Sequence, residues 1–327
     1  MKKFYFIVVL LSMILIVGCA TPRINLFNAA PEPLKEFTLE GTASDKILLI
    51  SINGMISDSP KKDLLSSSPS VVDDVVSQIN KAKSDKNIKA VLLKINSSGG
   101  TITASDVLYH EISAYKEKTG VKIVVSMMDI AASGAYYISL PADVIMAHPT
   151  TITGSVGVIS LQPKVSGLMN KIGLGVDIQK YGKHKDMGSP FRESSEEEQK
   201  LLQKTVNDFG GRFIDLVKKH RKLSEKALAE VSTARIFLAD EALSLGLIDK
   251  IGYISDTLKE TKKIAGISED ARVIVYRRME FPEDNYYNIA GTELGKINIP
   301  LINIELPEAF SLKAGFYYLW PGSISTD

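Results

Sequence analysis

The chain has 327 residues, 45% hydrophobic and 24% charged, with 39 basic against 38 acidic side chains. That apolar fraction excludes general disorder, and a net charge of +1 removes the electrostatic case for nucleic-acid binding. A single cysteine excludes an internal disulfide and any Cys-rich metal centre, and His110, His148, His184 and His220 are too scattered to read as a metal motif, so no metal or other cofactor is expected.

Lys2 and Lys3 precede an apolar run from Phe4 to Val17, which fits the core of an export signal and is short for a bilayer-spanning helix. The run ends in Ile16-Val17-Gly18-Cys19. These four residues resemble a bacterial lipobox, in which the cysteine receives a diacylglyceryl thioether and the chain is cut on its amino side. Residues 1–18 are then a lipoprotein signal peptide, and Cys19 is the lipidated first residue of the mature protein. The competing reading is an uncleaved signal anchor with an incidental cysteine. Without residues 1–18 the net charge is −1, and no basic patch assists membrane binding, so attachment rests on the lipid. Residues 19–44 carry Pro22, Pro31 and Pro33 without sustained periodicity and read as a tether.

Folded structure is expected from residue 45 onward. Lys46 to Ile52 reads as a strand and Val71 to Ala82 as a helix, because Val71, Val72, Val75, Val76, Ile79 and Ala82 share one face. A strand over Ala90 to Ile95, a helix around Ser105 to Tyr115, a strand over Lys122 to Ser126 and another at Val144 to Ala147 follow. This alternation predicts an α/β fold with parallel strands. A long helix is predicted to open at Ser194, with Glu197 completing a capping box, and to run towards His220 across Gly210-Gly211. Its acidic first turn is read as complementing the helix dipole. A helix at Asp240 to Leu245 ends at Gly246. From residue 279 the pattern changes, and beyond Pro282 only two basic residues face six acidic ones, with an aromatic cluster at Phe316-Tyr317-Tyr318-Leu319-Trp320. That tail could pack on the core, line the mouth of an assembly or touch lipid.

Three small-residue turns follow apolar strands, where backbone amides become available to a ligand. They are Asn96-Ser97-Ser98-Gly99-Gly100, Asp129-Ile130-Ala131-Ala132-Ser133-Gly134 and Thr153-Gly154-Ser155-Val156-Gly157. The second places a serine at the start of a helix, with an exposed hydroxyl and the Gly134 amide beside it. Each turn alone is more often only a turn or a cap.

In this order and spacing the three turns resemble the signal peptide peptidase A family of serine proteases. So does Gly246-Leu247-Ile248-Asp249-Lys250-Ile251-Gly252, and the resemblance covers residues 46–278. It implies a crotonase/Clp protease-like βα superhelix over a peptidase domain at residues 45–278, followed by a tail at 279–327. It carries the nucleophile onto Ser133 and the general base onto Lys185, within Tyr181-Gly182-Lys183-His184-Lys185. The 52-residue separation matches the short, single-unit form of the family. Gly100 and the Gly134 amide take the oxyanion-hole positions, and Ser155 that of a serine supporting the dyad. Ser98 departs from the proline usual before the two glycines. The resemblance further implies released signal peptides and other hydrophobic extended peptides as substrates, action outside the cytoplasm at a membrane, and a homo-oligomeric ring whose dyads are completed between neighbours.

The chemistry is consistent with those roles. Acyl transfer by serine needs a base, an oxyanion hole and a proton donor for the leaving amine, and a lysine base must be neutral, through desolvation or a nearby positive charge. Lys183 and Arg192 are the candidates for that charge. His184 is the rival base, since Clp-type peptidases use histidine. Asp129 either lines the cleft or caps the helix after Ser133, and Tyr136 and Tyr137 read as core and wall. A peptide-binding scaffold without activity and an acyl-CoA enzyme of crotonase type are the remaining alternatives.

Overall fold

The computed structural model describes residues 33–62, 67–278, 286 and 314–323. The signal segment, Cys19 and most of the tail lie outside them. Near-continuous apolar runs dictate the central sheet. In β2 (Lys46–Asn53), β5 (Ile88–Ser97) and β7 (Lys122–Ala132), successive side chains point to opposite faces and both faces are covered, so the strands are apolar nearly throughout. Leu48, Ile50, Val91, Leu93, Ile123 and Val125 form one face, in a core with Val75 and Ile79 of α1 (Val71–Ala82) and Leu108 and Ile112 of α2 (Ile102–Thr119). Ile47, Leu49, Ala90, Leu92 and Val124 form the other, against Ile254 and Leu258 of α8 (Ile254–Ala265).

The sheet runs β1-β13-β2-β5-β7-β8-β12, with β8 at Val144–Ala147, β12 at Lys250–Ile251 and β13 at Arg272–Arg277. From β13 to β12 every neighbouring pair is parallel. β9 (Ile152–Gly154) continues beside the far end of β7 and takes β11 (Ile236–Leu238) as an antiparallel partner. The strand β1 (Lys35–Glu40) pairs antiparallel with β13, inside the segment that the sequence reads as tether. β3 (Lys61–Lys62) pairs antiparallel with β4 (Ser67–Ser68).

α3 (Gly134–Ser139) follows β7 directly, and α4 (Ser166–Ile172) precedes a long irregular segment. α5 spans Glu196–His220 and is capped by Ser195, not Ser194: Ser195 accepts from the Glu198 amide while the Glu198 carboxylate accepts from the Ser195 amide. The shift by one residue lets Glu198 also bind Arg192. Gly210-Gly211 does not interrupt α5. Two glycines cost about 1 kcal/mol each, whereas full burial of Phe213 and Val217 returns about 1.5–3 kcal/mol apiece. α6 (Glu225–Val231) and α7 (Ala239–Leu245) complete the helices, and Gly246 ends α7 in the left-handed conformation.

A second, three-stranded sheet lies at the ends of β5 and β7. Its outer strands are β6 (Gly99–Thr101) and β10 (Ile159–Leu161), and its middle strand is β14 (Gly315–Leu319), from the tail. β14 is antiparallel to both, with Tyr318 opposite Gly100 and Tyr317 opposite Ile159.

Candidate active site

The three small-residue turns converge where the parallel strands end, the usual location of ligands in open α/β sheets. At the end of β5, the Ser97 hydroxyl accepts from the Gly99 amide at 3.1 Å and turns the chain into β6. Gly99 has φ +104°, and a Cβ there would lie 2.1 Å from the Tyr318 carbonyl oxygen. A Cβ on Gly100 would lie 1.8 Å from the Ile56 carbonyl oxygen. The Ile56 amide bonds to the Gly99 carbonyl at 2.9 Å and its own carbonyl accepts from Thr101 at 3.0 Å, so both glycines are held against backbone.

Ser133 occupies the single residue between β7 and α3. Its φ of 53° and ψ of −116° are sparsely populated for a non-glycine residue and cost about 1–3 kcal/mol. Its amide donates to the Gly154 carbonyl at 2.8 Å, its carbonyl accepts from Tyr137 at 2.9 Å, and these bonds fix the strained turn. Ser155, also at positive φ, leaves β9 alongside, since Ala132 and Gly154 are paired. A strand, a strained serine and a short helix together make the geometry that presents a nucleophile.

The hydroxyl is not exposed as the sequence implies. Ser133 is fully buried and its Oγ has no hydrogen-bond partner among the described residues. The turn is enclosed by neighbours: from the place a Gly134 Cβ would take, Ser105 Oγ lies at 2.4 Å, the Tyr318 oxygen at 3.0 Å and the Gly100 amide nitrogen at 3.1 Å. An unpaired buried hydroxyl costs about 1–3 kcal/mol; the Ser51 and Ser113 hydroxyls are unpartnered too, and what sets Ser133 apart is its strained turn beside the Gly100 and Gly134 amides. Ser133, Gly100 and Gly134 are therefore brought together, with Ser155 on the adjoining strand.

Lys185 is not joined to them. It sits exposed in the irregular segment between α4 and α5, and its ammonium makes no hydrogen bond or ion pair with a described residue. That segment is pinned by charge. Arg192 donates to Asp186 at 2.7 Å and to both Glu198 oxygens at 2.8 and 2.5 Å, and Lys164 donates to the Ser189 carbonyl at 2.8 Å. The Arg192 bond is the main reason the Glu198 carboxyl is pulled down to about 2 and the Asp186 carboxyl falls further still. Lys183 pairs with Glu197. The repulsive role expected of Lys183 and Arg192 is thus corrected: carboxylates neutralise both cations. The rival base, His184, faces Glu197 at 3.4 Å and has no bond to Ser133.

Asp129 lies within β7, four residues before Ser133, and does not cap α3, which has no side-chain cap. It accepts from Asn96 at 3.1 Å, and Asn96 accepts from the Ile130 amide at 3.1 Å, so this pair ties the end of β5 to β7. Tyr136 and Tyr137 are buried, as read from sequence. The Tyr137 hydroxyl donates to Asp106 at 2.6 Å beside Arg212 at 2.7 Å. Burial alone would raise the Asp106 carboxyl, but these two donors hold it below its usual range.

Of the three places the sequence left open for the aromatic cluster, the core is the one it takes, with Tyr318 fully buried; its pairing beside the site was not foreseen. The Trp320 amide donates to the Ser98 carbonyl at 3.0 Å, and β14 runs along the glycine strand beside the candidate nucleophile. The aromatic cluster was the only signal, and nothing local named its partner.

Comparison with known proteins adds the family context. A model of peptidase family S49 matches residues 115–268, and a Clp protease model matches residues 66–160. Ser133 falls in both. The chain is 37% identical over 253 residues to the "Putative signal peptide peptidase SppA" of Enterococcus faecium, covering 77% of this chain and 73% of that one. It is 30% identical to "Protease 4" of Haemophilus influenzae, over 74% of this chain and 38% of that one. Against "Serine protease SPPA, chloroplastic" of Arabidopsis thaliana the identity is 31%, over 73% of this chain and 36% of the relative.

Proposed function

The chain belongs to peptidase family S49, as a serine peptidase with a Clp protease-like α/β fold, and from that premise we propose that it hydrolyses extended hydrophobic peptides with a Ser133–Lys185 dyad completed between two copies of the chain. One observation carries the reading. Ser133 Oγ is buried, without a hydrogen-bond partner among the described residues, and held on a strained turn next to the amides of Gly100 and Gly134.

In this mechanism Ser133 Oγ attacks the substrate carbonyl carbon and its proton passes to Lys185 Nζ. The carbonyl oxygen becomes an oxyanion held by the Gly100 and Gly134 amides, and Ser155 steadies the lysine. Collapse breaks the C–N bond as the leaving amine takes the proton from Lys185. Water then adds to the acyl-enzyme, again losing its proton to Lys185, and the released Ser133 oxygen recovers it.

A partner copy accounts for two features at once. Lys185 has no bond to its own Ser133, and the segment around it exposes Leu168, Ile172, Leu174, Val176 and Tyr181, the last fully. A second copy docking there covers that apolar surface and delivers the lysine. Mixing Ser133→Ala with Lys185→Ala chains tests this: activity recovers when the dyad forms between copies, and an inactive mixture refutes it.

The substrates are signal-peptide remnants and similar segments, met outside the cytoplasm, where lipidated Cys19 anchors the chain. Among the described residues no helix is long and apolar enough to cross a membrane. Cys19→Ser should release the protein from the membrane fraction, and retention of that variant would refute the anchor.

A further inference from the structure

We propose that Arg235 is a positioning residue for catalysis: gripped by Glu230 and Glu241, it fixes the backbone that supports both Ser155 and the Ser133 turn. The proposal rests on the reading of Ser133 as the nucleophile and of Ser155 as the support of Lys185.

The connection runs through the main chain. The Ser155 amide donates to the Arg235 carbonyl at 2.9 Å, and the next residue, Ile236, pairs with Gly154 where β11 meets β9. The Gly154 carbonyl in turn accepts from the Ser133 amide at 2.8 Å. Residues 235 and 236 therefore hold both the serine that leaves β9 and the carbonyl that sets the nucleophile turn. Ser155 has φ 50° and Ser133 φ 53°, conformations that a serine keeps only where its surroundings impose them.

The supporting loop is itself irregular. Arg235 lies between α6 and β11, and Ala234 before it has φ 60°. The Ala234 amide donates to the Val231 carbonyl at 3.0 Å, and its methyl lies 2.5 Å from where a Gly157 Cβ would be. The loop is thus seated directly against the chain that follows Ser155.

The Arg235 side chain supplies the grip. Its Nε donates to Glu230 of α6 at 2.5 Å, and its two Nη atoms donate to the two carboxylate oxygens of Glu241 of α7. The guanidinium also lies 4.1 Å from the centre of the Phe237 ring, whose Cδ2 stands 2.4 Å from the place of a Gly154 Cβ. One planar fork therefore ties two helices and a ring packed on β9 to a single loop residue. Exposed ion pairs add little stability, but a bidentate fork fixes direction, which a lysine cannot do.

The test separates position from stability. Arg235→Ala, Arg235→Lys and a control, Lys204→Ala, which breaks the exposed Lys204–Asp208 pair on α5, are compared as full-length chains by hydrolysis of a fluorogenic peptide and by thermal unfolding. Arg235→Ala should lower kcat about ten- to hundredfold, with KM within about twofold and the melting temperature within about 5 °C. Arg235→Lys keeps the charge and loses the fork, so it should recover only part of kcat. Lys204→Ala should match the unaltered chain in both measurements. Unchanged kcat in Arg235→Ala, or full recovery in Arg235→Lys, overturns the proposal. Should Arg235→Ala fail to fold, Glu241→Gln decides: a loss of kcat at unchanged KM is expected, and unchanged kcat overturns the proposal. Ser155→Ala separates the proposal from the reading beneath it. If Ser155 supports Lys185, the double variant Ser155→Ala/Arg235→Ala should lose less than the product of the two single losses, and a fully multiplicative loss overturns the shared path. Normal kcat in Ser155→Ala beside an impaired Arg235→Ala would refute the role of Ser155 and leave Arg235 acting through Gly154 on the Ser133 turn.

Discussion

Gly100→Ala tests the oxyanion assignment most directly. The new methyl would meet the Ile56 oxygen at 1.8 Å, its carbon at 2.5 Å and its nitrogen at 2.7 Å, all backbone atoms of a buried residue. Ordinary contact begins near 3.4 Å, so β6 and Ile56 must part by about 1.6 Å. A misplacement of about 1 Å can cost a hundredfold, and loss of one oxyanion donor costs about 10²–10³ in kcat. Overpacking adds a destabilisation of about 1–3 kcal/mol. Hydrolysis of a fluorogenic peptide and thermal unfolding should be followed together, with Gly120→Ala as the control. Gly120, unlike Gly100, has positive φ, at +69°, but no atom lies within 4 Å of its Cβ position, so this change should lower stability by about 1–2 kcal/mol and leave kcat/KM unchanged. A Gly100→Ala enzyme within threefold of wild-type kcat/KM would refute the assignment, as would one whose loss is matched by the control.

Two further outcomes follow from the strained serine and from the charged segment. Ser133→Gly and Ser133→Ala should both be inactive, but glycine relieves the φ of 53° and should leave the fold about 1 kcal/mol more stable than alanine does; equal melting temperatures would mean that the turn stores no strain. Arg192→Ala should open residues 173–195 to limited proteolysis at pH 7 and lower kcat/KM through the misplaced Lys185. In the unaltered chain the Glu198 and Asp186 carboxyls titrate lower when folded than when unfolded, so their contribution is complete above about pH 4.3 and disappears as pH falls towards 2. Proteolytic protection of the segment should persist at pH 5 and fade below 4, and fading between pH 7 and 5 would contradict the ion-pair account.

What the sequence made legible, and what it hid, divides by the range of the determining interactions. β2, β5 and β7 were readable because both-face burial writes an apolar run into each strand, whatever its neighbours. The long helix was readable too, but its start was not, because Ser194 and Ser195 each precede a glutamate at capping-box spacing. The choice between them was made by Arg192, which binds Glu198. β1 was hidden because Lys-Glu-Phe-Thr-Leu-Glu becomes a strand only when β13, more than 230 residues away, offers it an edge. β14 was hidden more deeply, since its partner β6 is mostly glycine and writes no pattern of its own. The same economy explains the site. Gly99 and Gly100 carry no side chain because the backbones of Tyr318 and Ile56 lie against them, so the local pattern is blank where β14 pairs. Lys185 lies in an exposed turn with no bond to Ser133; in the proposed dyad the surface that brings the two together belongs to a second copy, and no local spacing encodes that.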